Sequence, residues 1–314
     1  MTAITMWVNI IVPSVFPYTI ISQYISDSQI VQKLPGRFIS FIFGIHGCSI
    51  KAIISSVFCG YPSGAVCAKN LYIKNEIDID EASHLICFTN NAGPLFLISA
   101  VGTGLLGNTR DGAMIYLIQL ISSFIYGIFT RKNIKEASLQ STIAGPGKGD
   151  FCSYVKNGVS ICINICGFMV MAYVMASVIC IIAGGIIKQE ASLLFIEKLS
   201  KSFFEVSAGV KELSTMASEK LRFALICSAV SWSGFSVIMQ IKSVAGEIIG
   251  FKKLIYAKSF QAVCSFFLGY GYKSLYTQSF YSPKGLTAIP ASVVIGAIII
   301  MIYLIKERKL SEKI

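Results

Sequence analysis

The segment FTNNAGPLFLISAVGTGLLGN, Phe88 to Asn108, sets Thr89, Asn90 and Asn91 ahead of a Gly93-Pro94 pair and three further glycines, within a run otherwise apolar enough to cross a bilayer. Side-chain amides beside a proline-freed backbone can hydrogen-bond a small polar solute or cap the broken helix. Gly60-Tyr61-Pro62-Ser63-Gly64-Ala65 is a second break. There Pro62 and Ser63 suit a helix start, with Ser63 as its cap and the freed amides as an anion site; a proline kink used only for packing is the competing reading. Ser231-Trp232-Ser233-Gly234-Phe235-Ser236, followed by Gln240, is a third and weaker break. The candidate substrate contacts are therefore Gly60, Tyr61, Pro62, Ser63, Gly64, Thr89, Asn90, Asn91, Gly93, Pro94, Ser233, Gly234 and Gln240.

Isolated charges in apolar sequence are the other pointers. Glu205, in SFFEVSAGV, either binds a proton or cation that drives transport or belongs to an interfacial amphipathic helix with Glu197, Lys198, Lys201, Lys211 and Glu212. Lys51, Lys242 and Lys258 are expected to snorkel to the surface in preference to binding substrate, although a cationic side chain would suit an acidic substrate. His46 and His84 suit packing or helix ends. The ten cysteines lie in or beside apolar segments with no CxxC and no Cys/His metal spacing, so neither a metal nor another cofactor is expected.

The elements that must position these residues are membrane helices. Apolar residues make up 54% of the chain, charged residues 14%, and the mean hydropathy is +0.68, far from an ordinary soluble mixture. Apolar windows lie near 6–25, 38–59, 84–107, 112–130, 158–187, 223–245, 254–270 and 288–305. The first reads as a retained helix because it lacks a charged n-region and a cleavage site. The expected fold is all-α, a polytopic helical membrane protein with about eight membrane-embedded segments in two structural repeats with broken or re-entrant helices. The net charge of +11 gathers at membrane edges, which fits the positive-inside rule and argues against nucleic acid. The link from Arg131 to Lys156 and the tail from Lys306 onward should both be cytoplasmic.

Three pairs of segments recur in order. MWVNIIVPSVFPYTII and ICINICGFMVMAYVMA share asparagines (Asn9, Asn164) and tyrosines (Tyr18, Tyr173) at equal separation, each pair opening its half with a polar break. GYPSGAV falls where EVSAGV falls, and HLICFTNNAGPLFLI aligns with ALICSAVSWSGFSVI. The expected organisation is a first membrane repeat (1–130), a cytoplasmic inter-repeat linker (131–157), a second membrane repeat (158–305) and a basic cytoplasmic tail (306–314). Whether the repeats are parallel or inverted is open from sequence, because it turns on which segments cross. Duplicated broken helices are a common construction of secondary transporters, which hold substrate near the midplane.

GYPSGA, FTNNAGPLFLISAVGTGLLGN, FEVSAGVKELS and SWSGFSVIMQ together resemble the sporulation integral membrane protein YlbJ family, with its nucleoside-recognition or Gate type of membrane domain. The WVNIIVPSVFPYTIIS opening is similar as well, so the resemblance runs along nearly the whole chain. It implies a bacterial inner-membrane protein placed in the outer forespore membrane, which moves dipicolinic acid, a small aromatic dicarboxylate, during sporulation. Helix N-termini suit carboxylates, and Tyr61 or Trp232 could stack on a flat ring. A nucleoside-type transporter and a non-transporting structural protein of the forespore membrane are the alternatives. Expected partners are a small-molecule substrate, dicarboxylate or nucleoside-like, and the lipid bilayer, with a homo-oligomer or sporulation membrane partners left open. An enzyme is not expected: there is no Walker A loop, GxSxG elbow or HExxH.

Overall fold

The computed structural model describes residues 3–27, 36–131, 150–187 and 189–281, and among these every regular element is helical. The chain opens with α1 (Ala3–Met6), a π-helical turn (Trp7–Ile11) and α2 (Val12–Asp27). Pro13 has no N–H to offer the Asn9 carbonyl, and Val12 N–H reaches back to Trp7 instead, so the widened turn sits where proline removes a bond. Next come α3 (Gly36–Phe43), α4 (Ile50–Cys59), α5 (Ser63–Ile73), α6 (Ile79–Phe88), a π-helix (Leu95–Leu105) and α7 (Thr109–Phe129). After the linker follow α8 (Phe151–Ile186), α9 (Glu190–Phe204), α10 (Val206–Leu213), α11 (Glu219–Trp232), α12 (Gly234–Ala245) and α13 (Phe251–Tyr281).

Specific contacts fix the directions. α7 runs against α6: Thr130 meets His84, Gly127 lies under Phe88 and Ser123 bonds Asn91. α13 runs against α7, since Phe260 tilts on Tyr126, Ser265 bonds Ser122 and Lys273 pairs with Asp111. α11 runs against α13, from Glu219 beside Lys273 to Ser231 beside Ser265. α2 runs against α8, from Met6 at Tyr173 to Gln23 at Asn157. Finally, α6 runs with α13, from Ser83 at Lys253 to Cys87 at Gln261, and so opposes α11.

Each half therefore holds an opening helix, a tight hairpin, a broken helix and a long helix, and α2 with α8, α6 with α11, and α7 with α13 are mutually antiparallel. This is an inverted arrangement. The hairpin α4–α5 has both ends on the face of the inter-repeat linker, where Lys51 Nζ lies 3.8 Å from Glu76 and Cys48 Sγ bonds the Glu76 carbonyl. The hairpin α9–α10 opens toward the opposite face, with Lys201 bridging Glu197 at 2.7 Å and Glu212 at 2.9 Å. Both tips point inward. On the opposite face Lys273, only 1% exposed, joins Asp111 and Glu219 at 2.8 and 2.9 Å; on the linker face Glu81 accepts from His46 and Ser49.

Several expectations need correction. The 38–59 window is not one span: α3 ends at Phe43, Gly44 has φ 62°, and α4 starts after a 3-10 turn at Gly47–Ser49. The stretch 192–214 is not an interfacial amphipathic helix but the hairpin α9–α10, broken at Glu205. α8 is continuous for 36 residues through Asn164 and Gly167, so the second half does not open with a break; α8 contains no proline to cause one. It also begins at Phe151, inside the stretch expected to be linker. The 288–305 window and the tail lie outside the described residues.

Among the described residues three runs are long and apolar enough to cross a membrane: Thr109–Phe129, Phe151–Ile186 and Glu219–Ile248. α8 turns Ile163, Met171, Val174, Ile181 and Ile186 outward as exposed apolar side chains, the surface expected toward lipid. The broken helix of the first half runs from the linker face to the opposite one in two pieces, and Gly102 of its π-helix meets Gly112 of α7 so closely that a Cβ on Gly102 would lie 2.6 Å from the Gly112 Cα.

Candidate functional site

In each half the hairpin tip presses on the break of the broken helix. Gly60, at φ 77°, packs its Cα against Gly93, where a Cβ would come 2.8 Å from the Gly93 nitrogen. At Gly64 a Cβ would stand 1.8 Å from the Thr89 carbonyl oxygen. In the second half Gly234, at φ 75°, approaches Val206, with 2.9 Å from its would-be Cβ to the Val206 nitrogen. The halves interlock across the middle: α5 packs on α12, α10 packs on the π-helix, and Glu205 lies within electrostatic range of Tyr61.

Buried polar residues satisfy the broken backbone. Asn90 Oδ1 accepts from Ala65 N–H at 3.0 Å, capping α5, while its Nδ2 donates to the Ile86 carbonyl at 2.8 Å. Thr89 Oγ1 turns back to the Leu85 carbonyl at 2.8 Å. Glu205, 2% exposed, caps α10 by accepting from Ala208 N–H at 2.6 Å. Thr89 and Asn90 thus use their side chains on the helix ends. Asn91 differs: Nδ2 donates to Ser56, Ser123 and the Phe88 carbonyl, but Oδ1 has no protein partner. Gln240 Oε1 is likewise unpartnered.

Ser63 does not cap α5 as expected. Its hydroxyl turns back to the Gly60 and Ser55 carbonyls, and the cap arrives from Asn90 on the neighbouring break. One of the amides expected to be free for an anion is therefore occupied. The Tyr61–Pro62 peptide is cis. Gly60, Tyr61, Gly93 and Pro94 border a small cleft of about 30 Å³ with Ile11, Tyr18 and Phe96, room for a water or two. Ser233 is buried at the second break, in left-handed backbone at φ 71°. Trp232 is not available for stacking: its ring lies on Phe203, centroids 5.2 Å apart, and its Nε1 donates to the Phe203 carbonyl.

Lys51 and Lys258 also depart from expectation, whereas Lys242 is only half-buried at a helix end. Lys51 is buried beside Glu76, and Lys242 folds onto the Gly246 and Ile249 carbonyls at the end of α12. Lys258 is 0% exposed; its ammonium donates to the Asn90 carbonyl and to Gln261 Oε1, whose Nε2 in turn bonds the Cys87 carbonyl at 2.8 Å. The reason is geometric: α13 is surrounded by α6, α7 and α11, which leaves Lys258 no surface within reach.

A polar seam between α7 and α13 is absent from the sequence expectations. Ser265 links Ser122 at 2.7 Å to Ser231 at 2.6 Å, and Gln119 Nε2 reaches the Val230 carbonyl at 3.5 Å while its Oε1 has no partner. The signal that could have found it is helical spacing: Lys258, Gln261 and Ser265 share one face of α13, and Gln119, Ser122 and Ser123 one face of α7.

No protein-family model matches the chain, and no solved structure matches it. Among curated proteins, the sporulation integral membrane protein YlbJ of Bacillus subtilis (strain 168) is 26% identical over 316 aligned positions, which cover 88% of this chain and 77% of that protein. Similarity to that sporulation protein along most of the length, joined to an all-helical fold with helices able to span a bilayer, identifies the chain as an integral membrane protein.

Proposed function

We propose that the chain is a secondary transporter of a small anionic aromatic solute, with dipicolinic acid as the substrate, acting in the outer forespore membrane during sporulation. The observation that carries this reading is the meeting of two inward hairpin tips with two broken helices between antiparallel halves, an arrangement that brings backbone ends and buried polar side chains to mid-depth. Such ends are tolerable only in protein or around a cavity. The resemblance to a sporulation membrane protein supports the setting, and the absence of nucleotide-binding or hydrolytic motifs supports transport over enzymatic work. The 30 Å³ cleft is too small for an aromatic dicarboxylate, so binding requires the halves to part, as rocking of one half against the other would achieve.

Glu205 is the candidate coupling residue, since it is a buried carboxylate at the tip of a hairpin. The test is uptake of labelled dipicolinate, with a nucleoside alongside, into proteoliposomes containing wild type or Asn91→Leu. Asn91 is chosen because it retains an unpartnered oxygen, whereas Asn90 is committed to the cap. Saturable dipicolinate uptake that the substitution removes supports the reading. Nucleoside uptake alone would move the substrate assignment, and flux of neither solute would favour a structural role.

A further inference from the structure

We propose that Lys258 is the residue that selects an anionic substrate, its ammonium exchanging the Asn90 carbonyl for a substrate carboxylate when the halves part. This rests on the transporter reading above and names the group that recognises charge at the same site. Lys258 is wholly buried, and both of its hydrogen-bond partners are neutral: the Asn90 carbonyl and Gln261 Oε1. Among the described residues no Asp or Glu carboxylate lies within 4 Å of it; each ion pair there belongs to His46, Lys51, Lys201 or Lys273. A buried lysine held only by neutral acceptors has no counter-charge to keep it protonated, and an entering carboxylate is the ligand that supplies one.

Position strengthens the assignment. Lys258 belongs to α13 of the second half and Asn90 to the break of the first, so their bond crosses between the halves. A carboxylate entering there would take over the bridge, and its occupancy would be linked to how the halves sit. Asn91, the next residue, and Gln119 on α7 each carry a buried amide oxygen with no protein partner. These oxygens accept, so they can take a bond from an N–H or O–H group of the ligand while Lys258 meets its carboxylate.

The experiment is equilibrium binding to the purified full-length protein in detergent, using dipicolinate and its uncharged diamide, with Lys258→Met and Lys258→Gln beside wild type. Wild type should bind dipicolinate at least tenfold more tightly than the diamide, and both variants should lose roughly tenfold to a hundredfold in dipicolinate affinity while leaving diamide affinity unchanged. Equal affinity of wild type for the acid and the diamide would overturn the proposal without any variant having to fold. Full dipicolinate affinity in a well-folded Lys258→Met or Lys258→Gln would overturn it while leaving the transporter reading standing. Binding of neither compound, with a nucleoside bound instead, would remove the dicarboxylate reading itself.

Discussion

Gly64→Ala tests whether the hairpin tip and the helix break are in contact. The new Cβ would lie 1.8 Å from the Thr89 carbonyl oxygen and 2.6 Å from its carbon, both backbone atoms that no rotamer change can move. Restoring an ordinary separation displaces the start of α5 by more than an ångström and stretches the 3.0 Å bond from Ala65 N–H to Asn90. Overpacking of this kind costs about 1–3 kcal/mol, and loss of the cap adds about 1 kcal/mol. Alanine's helix preference offsets about 1 kcal/mol. The net expectation is a loss of about 2 kcal/mol, read by denaturant titration of the purified protein, together with impaired uptake. Gly167→Ala on α8 is the control, since a Cβ there meets nothing within 4 Å, and it should be neutral or stabilising by up to about 1 kcal/mol. Equal stability of the two variants would refute the close approach and the site built on it.

Glu205→Gln keeps an acceptor for Ala208 N–H and should fold normally yet lose dependence of uptake on a proton or cation gradient; unchanged gradient dependence would remove Glu205 from coupling. Glu205→Ala also loses the cap, and a stability cost of about 1–2 kcal/mol is expected. Lys273→Met leaves Asp111 buried without its cation and should destabilise by about 3–5 kcal/mol, most of it recovered when Asp111→Asn is added, as a double-mutant cycle would measure. Cys152 is exposed at the start of α8, so a membrane-impermeant maleimide should label it from the cytoplasmic side alone if the basic linker obeys the positive-inside rule.

Clustering of residue types marked the breaks at Gly60–Ala65, Thr89–Pro94 and Ser231–Ser236, because Gly, Pro, Asn and Ser crowd together there, whereas single ones such as Asn164 and Gly167 sit inside a regular helix. Glu205 was visible for a similar reason, but its surroundings misled: Glu197, Lys198, Lys201 and Glu212 look like one solvated stripe, whereas the chain folds back at Glu205 and pairs Lys201 with Glu212 across the hairpin. Asn164 matched Asn9 by position, yet of the two opening helices only α2 carries prolines, and only the segment leading into it departs from regular α-helix. The polar seam stayed hidden because Gln119, Ser122, Lys258, Gln261 and Ser265 are single polar residues in separate apolar helices, and their meaning depends on which helices become neighbours. The direction of the second half relative to the first was equally a matter of tertiary contact, settled by pairs such as Lys273 with Asp111 and Gln23 with Asn157.

Transport by alternating exposure of a central site is tested most directly by counterflow. Proteoliposomes preloaded with unlabelled dipicolinate and diluted into a trace of labelled compound should show a transient, saturable accumulation above equilibrium, abolished by Asn91→Leu. Uptake that never exceeds equilibrium and rises linearly with concentration, or that is the same in empty liposomes, would contradict a carrier with a central site.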